Sequence, residues 1–322
     1  MISRRTLIGG ALSVFLMPFA YAQQATRVAR VGLFANTPEP QWEMFRKTLR
    51  EHGWVEGRNL VIEERWMMGD ARRAADIAAN LVGLNPDVLV ASSSTQVEAL
   101  RNLTRTIPIV FLLHADPVGA GHVASLARPG GNITGLSQLM TDVSAKMLQV
   151  LHEAVPRAVH IAVLWNPTTP SHPPALKAVE SAAQLLGVRV VMVPAKSADE
   201  LPAAFAKMTR ERVEALLVLA SPLTFRERGP LAELCLAHRL PAVFGFRQNV
   251  EAGGLVSYGV DIQDQIARAA VYVDRILRGA KPAELPIEQA TKFELAINMK
   301  TAKALGITVP QSILVPVDRA IE

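Results

Sequence analysis

The chain has 322 residues, of which 50% are apolar and 20% are charged, and its formal net charge is +5. That length exceeds what one hydrophobic core usually organises, so it predicts two domains. The positive charge is spread along the chain, which argues against a nucleic-acid-binding protein. Cys235 is the single cysteine. It excludes an intramolecular disulfide, and no Cys/His spacing indicates a metal.

The N-terminal residues have the pattern of a signal peptide. Arg4 and Arg5 precede an apolar run over residues 7–19, and residues 20–22, Ala-Tyr-Ala, are typical of a signal-peptidase site. We therefore predict that residues 1–22 are a signal peptide and that the mature chain is exported to the periplasm. The string Ser-Arg-Arg-Thr-Leu-Ile at residues 3–8 also resembles a twin-arginine signal. The alternative is an ordinary secretory signal that carries two arginines.

Two further expectations concern this segment. No cysteine stands at the cleavage point, so no lipid anchor is expected. The apolar run is also too short to span a bilayer comfortably.

Short β-rich apolar runs alternate with longer helical patterns from residue 28 to about residue 280, which is typical of α/β proteins with parallel sheets. A helix carrying Trp42, Phe45 and Leu49 is predicted to end at Gly53. In the first half the predicted strands are Val28–Phe34, Asn59–Trp66, Asp87–Ala91, Ile109–Leu113 and Ile133–Leu136.

A second series of strands follows the segment Thr141–Val155, for which we predict a helix that is capped by Thr141 and runs between two lobes. A later helix carries Ile262 and Ile276 on one face and ends at Gly279, before an extended linker. The fold class predicted is α/β, with two doubly wound parallel-sheet lobes that face a central cleft. The second-half strands are predicted at His160–Trp165, Val188–Val193, Ala215–Ala220, Pro241–Phe244 and Gly254–Ser257.

Ligands of doubly wound sheets bind at the carboxyl ends of the strands, and this rule selects the candidate binding residues. Hydroxyls and free N–H groups near Ser93, Ser94 and Thr95 would suit a carboxylate or phosphate, or these residues only cap their own helix. Asp116 and Asp261 would hold an ammonium group, or only cap helices. The full set of predicted ligand-binding residues is Asn36, Ser93, Ser94, Thr95, Asp116, Asn166, Ser221, Tyr258 and Asp261.

Motifs of catalysis are weak in this chain. No Gly-x-Ser-x-Gly elbow occurs, and no Gly-x-Gly-x-x-Gly follows the first strand. We therefore predict no catalytic residue, no cofactor and no metal site. Cys235 lies in a helical apolar pattern and is interpreted as a buried core residue, with a catalytic thiol as the alternative.

Several long strings resemble a bacterial family of ABC-transporter substrate-binding proteins. They are Leu-Ala-Arg-Pro-Gly-Gly-Asn-Ile-Thr-Gly-Leu at 126–136, Asp-Pro-Val-Gly-Ala-Gly at 116–121, and the segments 251–259, 272–282, 292–298 and 302–306. The resemblance implies a type I periplasmic binding fold, in which two lobes joined by three crossovers close on a small ligand. Some members are linked to tryptophan and tyrosine uptake. His114 stands at a position where variation among members is expected, so the identity of the ligand is not inferred from the family.

On that fold we expect lobe 1 to contain residues 28–138 plus 260–287, and lobe 2 to contain residues 139–259 plus 288–322. The predicted function is a periplasmic solute-binding protein of an ABC importer, capturing an amino-acid-like or carboxylate ligand. Its partners would be that ligand and an inner-membrane ABC permease, and the protein would be a monomer. The alternatives are a periplasmic enzyme or a ligand sensor built on the same cleft.

Overall fold

Two sheets organise the computed structural model, which describes residues 28–322. The predicted signal peptide lies outside the described residues. The strands are β1 (Ala29–Ala35), β2 (Leu60–Trp66), β3 (Val88–Ala91), β4 (Ile109–His114), β5 (Ile133–Ser137), β6 (His160–Trp165), β7 (Arg189–Pro194), β8 (Ala215–Val218), β9 (Ala242–Phe244), β10 (Val256–Val260), β11 (Glu288–Gln289), β12 (Phe293–Asn298) and β13 (Arg319–Ile321).

Helices connect most of these strands. They are α1 (Trp42–Glu51), α2 (Ala74–Gly83), α3 (Ser94–Arg101), α4 (Met140–Ala154), α5 (His172–Leu186), α6 (Leu201–Arg210), α7 (Pro222–Arg226), α8 (Arg228–Ala237), α9 (Arg247–Glu251), α10 (Ile262–Leu277), α11 (Met299–Leu305) and α12 (Gln311–Leu314).

The first lobe is built on a six-stranded sheet with the order β11-β5-β4-β3-β1-β2, in which every neighbouring pair is parallel. Its central strand β3 is apolar on both faces because helices cover both. Val88 and Val90 face the side that α1 and α10 cover, whereas Leu89 and Ala91 face α2 and α3. This double covering explains why β3 is a continuous apolar run rather than an alternating one.

The second lobe is built on a seven-stranded sheet with the order β13-β12-β10-β9-β8-β6-β7. Strand β12 runs antiparallel to β10, and the other pairs are parallel. Helices α4 and α5 cover one face, while α6 and α8 cover the other. The α/β class and the two doubly wound lobes predicted from the sequence are therefore confirmed.

Within residues 28–322, the chain passes between the sheets three times: between β5 and α4, between β10 and α10, and between β11 and β12. The prediction that a helix over Thr141–Val155 runs between the lobes is wrong. Helix α4 packs inside the second lobe, through Met147, Leu148 and Leu151. It begins at Met140, and Leu139 stands before it with a positive φ of 53° and no side-chain cap.

The tail enters the second lobe later than predicted. Residues 288 and 289 form β11 and pair with Leu136 and Ser137 of β5, in the first sheet. Ile287 is buried in the first lobe, which holds this segment there.

Within residues 28–322, no helix is long and apolar enough to cross a membrane.

Candidate functional site

A cleft of about 700 Å³, including its solvent-open mouth, lies between the two lobes. Loops that follow β1, β3, β6, β8 and β9 reach it, so the carboxyl ends of both sheets meet there as expected for such folds. Polar side chains from the two lobes converge on it: Asn36, Ser93, Ser94, Thr95, Gln138, Thr169, Ser171 and Ser221. An apolar wall completes it: Trp42, Leu113, Met140, Phe225, Phe246, Ile262 and Ile266.

The lining of this cleft is uncharged. No Asp, Glu, Lys, Arg or His side chain is among the described residues that line it. Burying a charged group without a partner is costly, so a ligand with a net charge would find no opposite charge there. A neutral or zwitterionic molecule, held by hydroxyls, amides and backbone groups, fits this lining better.

The serine-rich loop presents an open helix N-terminus to the cleft. Ser93 precedes α3 in extended backbone, but its side chain makes no capping bond to the helix. It donates to Oε1 of Gln96 instead, at 2.5 Å. The first N–H groups of a helix have no acceptor within it. Because Ser93 does not cap them, they and the helix dipole favour a carboxylate at this point.

Five of the nine predicted binding residues line the cleft and four do not. Asn36, Ser93, Ser94, Thr95 and Ser221 line it. Ser221 also caps α7, since its hydroxyl accepts from the backbone N–H of Thr224.

The two predicted carboxylates bind their own backbone. Asp116 accepts the N–H of Gly119 at 2.8 Å, and Asp261 caps α10 by accepting from Gln263 and Asp264. Neither is among the described residues that line the cleft: Asp261 caps α10, whereas Asp116 closes a local turn.

The remaining two also have local partners. Asn166 accepts the N–H and the hydroxyl of Thr168, which closes a turn. Tyr258 stacks on Phe293, with ring centroids 5.9 Å apart. Neither residue is among the described residues that line the cleft.

Several lining residues were missed by sequence reasoning. Thr169 and Ser171 follow β6, Gln138 follows β5 and Phe246 follows β9, so each obeys the strand-end rule and could have been selected by it. Trp42 gives no such signal, because its helical spacing also indicates a core residue.

A buried histidine holds the loop that carries Thr169 and Ser171. Nδ1 of His172 accepts the N–H of Asn166 at 2.9 Å, and its Nε2 donates to the carbonyl of Ala220 at 3.0 Å. Burial lowers the pKa of His172 to about 4. The neutral ring therefore ties two loops of the second lobe together beside the cleft.

Contacts at the mouth of the cleft join the two lobes. Asn36 donates to the carbonyl of Pro222, and Glu39 forms an ion pair with Arg228 at 3.0 Å. Gln41 accepts from Gln248 of the second lobe at 3.2 Å. A molecule in the cleft would therefore touch both lobes at once.

Metal and thiol chemistry find little support in the part of the chain that the structure describes. No group of three or more His, Cys, Asp or Glu side chains there could hold a metal ion. Cys235 is buried in the second-lobe core, and burial raises the pKa of its thiol to about 12. A thiol protonated at all physiological pH values is a poor nucleophile.

A family model described as ABC transporter substrate binding protein matches residues 41–321. A curated relative, the "Tyrosine-binding protein" of Clostridioides difficile (strain R20291), is 25% identical over 263 residues, which is 82% of this chain and 75% of the relative.

Two solved structures share the fold. A conserved domain protein from Vibrio cholerae has a TM-score of 0.85 and 28% identity, covering 91% of this chain and 100% of that one. An ABC domain from Streptococcus pneumonia, solved in complex with L-Trp, has a TM-score of 0.82 and 24% identity, covering 91% and 99%. These likenesses agree with the two-lobed architecture.

Proposed function

This chain belongs to the ABC transporter substrate-binding protein family, and we propose that it captures a zwitterionic aromatic amino acid between its lobes and delivers it to an ABC permease. Membership confirms the solute-binding function that the sequence predicts. The family is one of binding proteins and not of enzymes. The ligand class, the permease, the periplasmic location and the monomeric state are parts of the proposal.

The uncharged lining of the cleft is the observation that carries the ligand class. An α-amino acid with a neutral side chain has no net charge, but its carboxylate and ammonium need partners. The open N–H groups at the start of α3 supply donors for the carboxylate. Hydroxyl and amide oxygens along the polar side supply acceptors for the ammonium. A lysine-like or glutamate-like side chain would bring an unpaired charge into the cleft.

Aromatic residues in the lining favour a planar ligand side chain. The rings of Phe225 and Phe246 meet edge to face, with centroids 5.4 Å apart, and Trp42 lines the same cleft. Such rings pack favourably on another aromatic ring in offset or edge-to-face geometry. The curated relative named for tyrosine supports the same choice of ligand.

Binding would proceed by closure of the lobes. The polar lining of α3 belongs to the first lobe, while Thr169, Ser171 and Ser221 belong to the second. A ligand that contacts both sets stabilises the closed arrangement over an open one, and this differential contact drives closure. The closed, loaded form is the one that a permease would recognise. The signal-peptide pattern supports action in the periplasm. A ligand sensor would use the same closing motion of the lobes.

Isothermal titration calorimetry on residues 23–322 tests this proposal. We expect L-tyrosine, L-tryptophan or L-phenylalanine to bind with one site per chain, and L-lysine and L-glutamate to bind at least a hundredfold more weakly. Mass spectrometry of the same mixtures should recover the ligand unchanged. Failure of all three aromatic amino acids to bind would overturn the proposal, and so would their chemical conversion.

A further inference from the structure

A line of four polar side chains leads from the cleft to the protein surface. Oγ of Ser94 lies 3.2 Å from Nδ1 of His114. Nε2 of His114 lies 2.6 Å from Nδ1 of His122, and Nε2 of His122 lies 2.6 Å from Oε2 of Glu98. Ser94, His114 and His122 are buried, whereas the Glu98 side chain is 46% exposed. We call these residues the relay.

The protonation states of the relay at neutral pH follow from its surroundings. Burial and the neighbouring His122 lower the pKa of His114 to about 3, and burial lowers the pKa of His122. Hydrogen bonds from His122 and Asn102 lower the pKa of Glu98 in spite of partial burial. Both imidazoles are therefore neutral and Glu98 carries its negative charge.

Counting protons along the relay then fixes its direction. Glu98 is a carboxylate and can only accept, so the single proton of His122 lies on Nε2. The bare Nδ1 of His122 must accept from Nε2 of His114. The bare Nδ1 of His114 in turn accepts the hydroxyl proton of Ser94. Every proton points toward Glu98.

Ser94 is left as an acceptor in the cleft. Its proton is committed to His114, and one lone pair takes the backbone N–H of Ala115 at 3.2 Å. A hydroxyl oxygen has two lone pairs, so one remains for a ligand. The hydroxyl protons of Ser92 and Ser93 are also committed, because both hydroxyls donate to Oε1 of Gln96. The serine loop therefore offers oxygen acceptors beside the N–H donors of α3.

We propose that Glu98, His122 and His114 are positioning residues that orient the Ser94 hydroxyl as an acceptor, and that Ser94 thereby binds the ammonium group of the ligand. This inference rests on the proposed function and deepens it, since it selects ligands that carry an amine over their deaminated analogues. It assigns to a neutral serine the role that the sequence had given to Asp116 or Asp261.

The relay can also run the other way when it gains a proton. If His122 were protonated on Nδ1 as well, that N–H would donate to Nε2 of His114. His114 would then carry its proton on Nδ1 and donate it to the oxygen of Ser94. The Ser94 hydroxyl would be free to donate into the cleft, and its preference for an amine would disappear. Glu98 is the charged end of the relay itself, and Arg101 lies 3.8 Å from it and donates to the carbonyl of Gly121.

The test compares L-tyrosine with 3-(4-hydroxyphenyl)propionate, which lacks only the amine, by calorimetry on residues 23–322 at pH 7.5. The variants are Glu98→Gln, Ser94→Ala, the double variant, and the control Glu233→Gln at an exposed carboxylate on α8. An amide at position 98 can donate as well as accept, so it no longer dictates the direction of the relay.

We expect the wild-type preference for the amine-bearing ligand to fall about tenfold in Glu98→Gln and in Ser94→Ala, and to stay unchanged in Glu233→Gln. The double variant should fall no further than Ser94→Ala, because the two residues act as one unit. An unchanged preference in Glu98→Gln, or additive losses in the double variant, would overturn the relay while leaving the proposed function intact. A wild-type chain that binds neither aromatic amino acids nor the analogue would overturn both.

A measurement without ligand checks the direction of the relay independently. Long-range ¹H–¹⁵N spectra at pH 7.5 should show both His114 and His122 as the Nε2-protonated tautomer. An Nδ1-protonated tautomer at His114 would contradict the inference, whatever the calorimetry shows.

Discussion

The side-chain amide of Asn36 donates a hydrogen bond to the carbonyl oxygen of Pro222 at 2.9 Å, and so joins the first lobe to the second. The same side chain accepts the backbone N–H of Gly69 at 2.7 Å, which holds it in place within its own lobe. Both hydrogen-bonding ends of Asn36 are thus used, one to orient the side chain and one to bridge the cleft.

Replacement of Asn36 by Ala should weaken ligand binding. The closed arrangement loses a bridging hydrogen bond, and the apparent affinity falls with the population of the closed state. We expect the dissociation constant for L-tyrosine to rise about three- to tenfold in calorimetry. Asn80→Ala, at an exposed asparagine of α2, is the control and should bind as the wild type does. Equal affinities in all three proteins would remove Asn36 from the closure mechanism.

Replacement of Phe246 by Leu should reduce selectivity for aromatic ligands. Leucine keeps the wall apolar but removes the ring, and aromatic pairs are worth about 0.5–1.5 kcal/mol beyond simple burial. We expect a three- to tenfold loss of affinity for L-tyrosine, with little loss for L-leucine, in competition titrations. Phe293→Leu changes a ring outside the cleft lining and serves as the control. An equal loss for both ligands would instead indicate general damage to the cleft.

Replacement of Asp261 by Ala should cost stability and leave binding unchanged. Its carboxylate caps α10 through the N–H groups of Gln263 and Asp264, and loss of such a cap costs about 1 kcal/mol. Asp261→Asn should retain most of the stability, since asparagine caps equally well. Urea unfolding measures the stability and calorimetry measures the binding. A large loss of affinity in Asp261→Asn would restore the ammonium role that the sequence suggested.

The free energy of unfolding should decrease as the pH is lowered below about 6.5, in part because of His172. Its folded-state pKa of about 4 lies below the value of 6.5 for a free histidine, so the unfolded chain binds this proton first. Protonation in the folded state would place a second proton on Nδ1, against the N–H of Asn166. The contribution of neutral His172 to the free energy of unfolding is therefore intact above pH 6.5. It is lost as the pH falls toward 4, at up to about 1.4 kcal/mol per pH unit.

Urea unfolding at several pH values, in the wild type and in His172→Gln, measures that slope. Glutamine keeps a donor and an acceptor but does not titrate in this range. Its free energy of unfolding should depend less steeply on pH between 6.5 and 4. Parallel curves for the two proteins would show that His172 contributes nothing to the pH dependence.

Replacement of Gly135 by Ala should be strongly destabilising. Gly135 has a φ of 145°, and a Cβ atom there would collide with the backbone carbonyl of Phe111 in the adjacent strand. We expect a loss of about 3 kcal/mol or more in the free energy of unfolding. Gly131→Ala is the matched control, because a Cβ atom there meets nothing within 4 Å. Equal stability of the two variants would contradict the close approach of β4 and β5.

Much of the fold could be predicted because its signals are local. The apolar run at Val88–Ala91 and the helical spacing of Trp42, Phe45 and Leu49 each state what one element buries. The failures came where the lobes meet. The sequence predicts Thr141 as the cap of a helix that begins instead at Met140, after Leu139 in left-handed backbone, and this helix packs in the second lobe.

The candidate site could be predicted only in part, for a related reason. Strand-end positions select Asn36, Ser94 and Ser221, which line the cleft, and equally Asp116 and Asp261, which bind their own backbone instead. Nothing in the sequence distinguishes a serine that binds ligand from one that caps its helix.

By itself, the sequence determined the first ten strands, the two doubly wound lobes and the family, because these depend on residue periodicity and on strings of neighbouring residues. Only the tertiary structure decided which polar groups are free for a ligand. His122 and Glu98 are 24 positions apart, yet their hydrogen bond helps to orient Ser94. A polar side chain takes the nearest good partner in space, and folding brings together partners that the order of residues keeps apart.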